Sequence, residues 1–175
     1  VKRYFVVAMT VLPIAAGCGS QGEIQSGTIG TNGQIGPILV RNMYVEAPRD
    51  GSYASNDTGR LRLWLFNTAA NDDRLTAVRS DAVERTAIKW DRDCAGTFET
   101  PAGLPLPAGD AKPQPAAYFV ELTGFNHPVL AGTTIPVFLT FENAGQGRID
   151  AMVEASHDGD STTPPSCSTP SPPSG

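Results

Sequence analysis

The chain is poor in most of the residues that carry chemistry. It has 175 residues but only two histidines, three cysteines and three methionines. Aromatic residues make up 7% and charged residues 18%. Two histidines without neighbours at ligand spacing exclude a histidine-rich metal motif. No G-x-S-x-G elbow is present, so the most recognisable serine-hydrolase signature is absent too. No block of basic residues occurs, and the formal net charge is −5, which argues against nucleic acid as a partner. No 11-residue stretch carries a helical period, which excludes a helical bundle. Glycine and proline are the abundant residues, 18 and 15 of 175. That share exceeds the ~12% of average proteins but stays below the ~25–30% of wholesale disorder. The composition is that of short strands joined by turns.

Organisation follows from where the apolar residues fall. Lys2-Arg3, an apolar run from Tyr4 to Ala16 and then Gly17-Cys18 have the order of an export signal. Thirteen apolar residues at ~1.5 Å rise span ~20 Å, too little for a ~30 Å hydrocarbon core. Small residues before Cys18 resemble a bacterial lipobox, although Ala15 stands where a leucine is usual. Residues 1–17 are therefore expected to be a lipoprotein signal peptide, with Cys18 as the lipidated residue. Two acyl chains would anchor the protein to the outer face of the cell membrane. Residues 18–36 are polar and glycine-rich and read as a flexible linker. Residues 157–175 are dominated by Pro, Ser and Thr and read as a disordered tail.

Residues 37–156 remain as the folded unit. Apolar and alternating runs predict strands at Ile38–Ala47, Arg60–Asn67, Leu75–Arg79, Arg85–Trp90, Tyr118–Leu122, Ile135–Glu142 and Arg148–Glu154. In the second, Leu61, Leu63 and Leu65 share one face and Arg62, Trp64 and Phe66 the other. Seven strands at this spacing predict an all-β, antiparallel β-sandwich. The prolines near residues 101–115 mark a long surface loop.

Three segments of this unit resemble a known family. Asn71-Asp72-Asp73-Arg74-Leu75 with the following Val78-Arg79-Ser80-Asp81-Ala82, Leu106-Pro107-Ala108-Gly109, and Leu130 to Gly145 are similar to elements of the PCu(A)C periplasmic copper chaperones. The layout of lipobox, domain and Pro/Ser tail is similar to LpqE-like actinobacterial lipoproteins. The resemblance implies a cupredoxin-like, immunoglobulin-like β-sandwich over about residues 38–154. It also implies a Cu(I) site of two histidines and two methionines. Here the family's ligand positions carry Lys89, Phe119 and Glu121, and the loop Asp91–Pro115 holds no methionine. An ammonium, a phenyl ring and a carboxylate are not soft Cu(I) ligands. Lys89 and Glu121 are expected to form a surface ion pair instead.

Other candidates are few. His127 and His157 are weak metal-ligand alternatives and read as exposed loop histidines. Met43 and Met152 fall in strands and read as core. Asp72, Asp73, Asp91 and Asp93 read as solvated turn carboxylates. Trp64, Phe66, Trp90 and Phe98 either form an exposed patch or lie in the core or under the proline-rich loop. Cys94 and Cys167 form an even pair in an exported chain, which suggests a disulfide. It would close a loop of roughly 74 residues, nominally ~4 kcal/mol in the chain-entropy model. Two free thiols that bind Cu(I) are the competing reading. The sequence thus points to a non-enzymatic, membrane-anchored binding or structural protein with no assigned cofactor. Its alternatives are a copper chaperone using Cys94, Cys167 and His157, and an assembly or scaffold factor with a protein partner in the envelope.

Overall fold

The computed structural model describes residues 30–109 and 117–155. These residues form strands β1 (Thr31–Ile35), β2 (Ile38–Val45), β3 (Ser52–Tyr53), β4 (Thr58–Asn67), β5 (Asp73–Arg79) and β6 (Val83–Asp91). There follow β7 (Leu104–Leu106), β8 (Ala117–Phe125), β9 (Val129–Leu130), β10 (Thr134–Phe141) and β11 (Gly145–Val153). The fold is all-β, and β2, β4, β5, β6, β8, β10 and β11 are the seven expected strands.

Four strands were not expected, and β1 corrects the boundary of the linker. Thr31–Ile35 pairs with β2 across the turn at Gly36, with Ile35 opposite Ile38 and Gly33 opposite Val40. The glycines of this segment serve close packing. A Cβ on Gly33 would lie 2.5 Å from Ile149 Cδ1, and one on Gly147 would lie 2.5 Å from Ile35 Cγ1. Each isoleucine thus fills the space that the other strand's glycine leaves open, and β1 is clamped to β11. The second correction is β7, a strand inside the proline-rich region. Its Leu104 and Leu106 are buried while Pro105 needs no amide bond. β3 and β9 pair only with each other, too briefly to leave a sequence period.

Nine strands share one sheet in the order β6-β8-β4-β2-β11-β10-β5-β7, with β1 paired to β2. The pairing is antiparallel with one exception: β11 runs parallel to the end of β2, Met152 opposite Tyr44 and Val153 opposite Val45. The cause lies in β2. Its register against β4 shifts between Arg41 and Tyr44, where Asn42 has φ 48°. Asparagine tolerates that left-handed conformation. β1 occupies the edge before this bulge and β11 the edge after it. At the far side, Thr86 Oγ1 on β6 donates to the Val78 carbonyl on β5, so the sheet nearly closes on itself.

The interior takes the apolar side of each strand. Leu61, Leu63 and Leu65 are all buried, as their alternation predicts. Burial of each stabilises by ~1.5–3 kcal/mol. Met43 is fully buried and Met152 half-buried. Trp90 lies in the core beside Tyr118, not in a surface patch. Tyr118 accepts the Leu65 amide at 3.1 Å, and burial raises its pKa well above the ordinary tyrosine value.

One end of the fold is tied together by two acids, of which Asp72 is exposed as expected and Asp73 is not. Asp73 is buried, and its carboxylate accepts the amides of Asn143 at 2.9 Å and Ala144 at 2.8 Å. The Asp72 carboxylate accepts the Ala108 amide at 2.8 Å. Gly109 N donates to the Ala69 carbonyl at 2.7 Å, and Asn67 Nδ2 donates to the Leu106 carbonyl at 3.0 Å. Asn71–Leu75, Leu106–Gly109 and the Phe141–Gly145 turn therefore meet in one hydrogen-bonded clasp.

Candidate functional site

Lys89, Phe119 and Glu121 come together on the outer face of β4, β8 and β6. Lys89 sits opposite Phe119, and Glu121 lies between Ala87 of β6 and Arg60 of β4. Lys89 Nζ is 3.5 Å from Glu121 Oε1 and donates to Thr100 Oγ1 at 3.2 Å. The expected ion pair forms at a partly exposed site, where such a pair contributes ~0–1 kcal/mol.

Phe119 is nearly buried by its neighbours. The Arg60 and Arg62 guanidinium carbons lie 4.9 and 5.1 Å from its ring centroid. Phe98 packs edge-on against it, with centroids 5.0 Å apart. A cation over an aromatic face gains ~0.5–1 kcal/mol when exposed and ~2 when desolvated. Arg62 belongs to the second case, being 4% exposed and bonded through Nε to Glu46 Oε1 at 2.6 Å. Strand alternation alone had placed Arg62 outside. The aromatic ring and the carboxylate beside it allow its burial.

The segment after β6 carries Phe98 and Thr100 to this face. Trp90 and Glu99 exchange backbone hydrogen bonds at 2.9 and 3.0 Å. The connecting turn is built on Asp91, another acid expected in solvent but buried here. Its carboxylate accepts the amides of Ala95 at 3.0 Å and Gly96 at 2.8 Å. Cys94, at the tip, has φ 55° and is disulfide-bonded. Its partner sulfur lies outside the described residues, as do Cys18, Cys167 and His157.

His127 is exposed in the turn after β8. Trp64 and Phe66 are half-buried, and Phe98 is 43% exposed. Among the described residues, no three His, Cys, Asp or Glu side chains cluster closely enough to hold a metal. No helix among them is long and apolar enough to cross a membrane. A groove of about 600 Å³, not foreseen from sequence, runs beside the face between Pro48, Arg49, Tyr53, Arg60 and Glu121. Tyr53 forms part of its wall, donates to the Glu46 carbonyl at 2.7 Å and stacks on Phe125. Burial, reinforced by the nearby Glu46 and Asp57 carboxylates, raises its pKa to about 12.

The family model LpqE-like matches residues 38–153, which is 116 of the 175 residues. The chain belongs to the LpqE-like family. The described fold is also that of PCuAC domains. The copper-bound PCuAC domain from PmoF2 aligns with a TM-score of 0.56 at 25% identity, covering 72% of this chain and 99% of that one. The apo PCuAC domain from PmoF1 aligns with a TM-score of 0.60 at 22% identity, covering 72% and 100%. No curated protein matches. This LpqE-like protein therefore carries a copper-chaperone-like β domain. The three sequence segments that resemble the family contribute the residues that meet in the clasp. The face around Phe119 is a different region of the molecule.

Proposed function

We propose that this LpqE-like protein is a lipid-anchored, extracytoplasmic, non-enzymatic binding or structural protein whose inherited copper locus has lost its ligands. The observation that carries the reading is the cluster around Phe119. Lys89 pairs with Glu121 at 3.5 Å, and Phe119 is enclosed by Arg60, Arg62 and Phe98. Resemblance to the PCu(A)C family puts Lys89, Phe119 and Glu121 on the ligand positions. Cu(I) selects thioether, thiolate and imidazole donors, and these three side chains do not fit it. Two adjacent guanidinium groups further oppose a cation there.

Competition against a chromogenic Cu(I) chelator under anaerobic conditions tests the reading. A domain of residues 30–155 with Cys94→Ser should bind no tighter than micromolar. Nanomolar binding would restore the chaperone function that the copper-bound PmoF2 domain suggests.

The anchor rests on the Lys2-Arg3, apolar and small-small-Cys18 order. Cys18→Ala should release the protein from the membrane fraction or leave it unprocessed. A variant of unchanged mass and location would refute the anchor. With Cys18 acylated, Cys94 and Cys167 are the remaining pair, and we assign the Cys94 disulfide to Cys167.

A further inference from the structure

We infer that the groove lined by Arg49, Asp50, Asp57 and Arg60 is a binding site for a short free peptide, recognised by its two opposite terminal charges. The inference rests on the reading of this chain as a binding protein and names the class of ligand.

The groove is fixed by the fold that surrounds it. Tyr53 lies flat against Gly59, where a Cβ would come within 2.9 Å of Tyr53 Cζ. Phe125 stacks on the Tyr53 ring, with centroids 4.5 Å apart, and the hydroxyl is bonded to the Glu46 carbonyl. The loop between β2 and β3 is held at both ends. Glu46 N donates to the Arg60 carbonyl at 2.8 Å, and Ala131 N donates to the Gly51 carbonyl at 2.9 Å. Gly51 has φ 74°, a left-handed turn that glycine takes without strain. Asp57 Oδ2 accepts the Ala54 amide at 2.7 Å and so sets the turn into β4. The volume of about 600 Å³ is more than a single ion fills and falls within the ~300–1,000 Å³ of small-molecule sites.

The charges decide what fits. Four carboxylates and two guanidinium groups line the groove. Two of the carboxylates are already answered, Glu46 by Arg62 and Glu121 by Lys89. Among the described residues, Asp50 and Asp57 form no ion pair with a cation, and Arg49 and Arg60 none with an anion. Two unmatched charges of each sign remain. A lone anion would meet both acids and a lone cation both arginines, whereas a neutral zwitterion satisfies all four.

Arg60 is held ready for the carboxylate. Glu121 faces it across the β4–β8 register, but Lys89 engages that carboxylate, and the Arg60 guanidinium lies on the Phe119 ring instead. Stacking fixes the plane of the guanidinium, and its N–H groups make no hydrogen bond among the described residues. A fixed planar fork of donors matches a carboxylate. Asp50 and Asp57, both exposed, present oxygens to an ammonium. Ser52 and Thr58 also line the groove, and their hydroxyls are unbonded among the described residues. Hydroxyls both donate and accept, which suits the amide groups between the two termini of a di- or tripeptide.

Titration of the oxidised mature chain with trialanine, followed by amide NMR, tests the site. The shifts of Gly51, Ser52 and Asp57 to Arg60 should saturate. N-acetyl-trialanine keeps only the carboxylate and imitates the C-terminus of a protein. Trialanine amide keeps only the ammonium and imitates an N-terminus. Each should bind about tenfold more weakly than trialanine, the loss of one charge-assisted contact. Arg60→Gln should weaken trialanine by a similar factor. Arg49→Gln, at an exposed side chain with no bond to lose, should do so without disturbing the fold. Absence of saturable shifts at these amides would overturn the site. Capped peptides that bind as tightly as trialanine would refute recognition of a free zwitterion and assign the groove to a chain end. Undiminished binding by both arginine variants would also refute the proposal. Cu(I) competition is measured without peptide, so tight Cu(I) binding would count against the proposed function and a failed titration against the peptide site alone.

Discussion

Asp73 grips the turn between β10 and β11 from a strand seventy residues earlier. Its two carboxylate oxygens accept the consecutive amides of Asn143 and Ala144, at 2.9 and 2.8 Å. Asp72, next to it, holds Ala108 in the same way. Two adjacent acids thus join three segments that are remote in sequence. A buried carboxylate satisfied by backbone amides forms charge-assisted bonds, stronger than neutral ones.

Replacing Asp73 with Ala should destabilise the protein by about 3 kcal/mol, because hydrogen bonds to a charged group count for ~1.5–3 kcal/mol and the amides of Arg74, Asn143 and Ala144 all lose their acceptor. Asp72→Ala, at the more exposed bond, should cost about 1 kcal/mol. Urea denaturation of both variants measures the difference. Equal losses would mean that the Asp73 bonds do not hold the clasp.

The contact between β1 and β11 makes a second prediction. Gly147→Ala puts a methyl group 2.5 Å from Ile35 Cγ1 and should destabilise by about 1–3 kcal/mol through overpacking. Ile35→Ala opens the space that this methyl needs. In the double variant, Gly147→Ala should therefore be less harmful than in the native background, and a thermodynamic cycle reads that coupling. Additive losses would show that β1 does not pack on β11 as described.

Tyrosine ionisation sets an alkaline limit. Burial raises the pKa of Tyr53 to about 12 and moves that of Tyr118 upward as well, from an ordinary value of 10. Between those values the unfolded chain has released its phenolic protons and the folded chain has kept them. Stability is therefore fully present below pH 10 and declines as pH rises through 12. Absorbance at 295 nm should show these tyrosines titrating only as the fold is lost. Tyr53→Phe should be destabilised near neutral pH by the lost hydrogen bond and show a shallower alkaline decline. An inflection at pH 10 for every tyrosine in folded protein would contradict the burial.

Local pattern was enough for the strands that have a period. Leu61, Leu63 and Leu65 alternate over a run long enough to declare a buried face, and all seven strands of that kind were readable. The pairing of Lys89 with Glu121 was also readable, because the resemblance supplied the relative positions of β6 and β8. The tertiary structure decided whatever depends on a partner remote in sequence. Thr31–Ile35 has one buried apolar residue and two neighbouring glycines. It looks like a tether until Ile149 and Gly147 are brought against it. Asp73 and Asp91 look like solvated turn acids until distant or following amides are turned toward them. Arg62 looks like a surface charge until Glu46 and the Phe119 ring surround it. In each case a polar or small residue was sequestered, and burial of such groups is favourable only once the complementary surface exists. That surface is assembled by folding, so a window of sequence around the residue does not contain it.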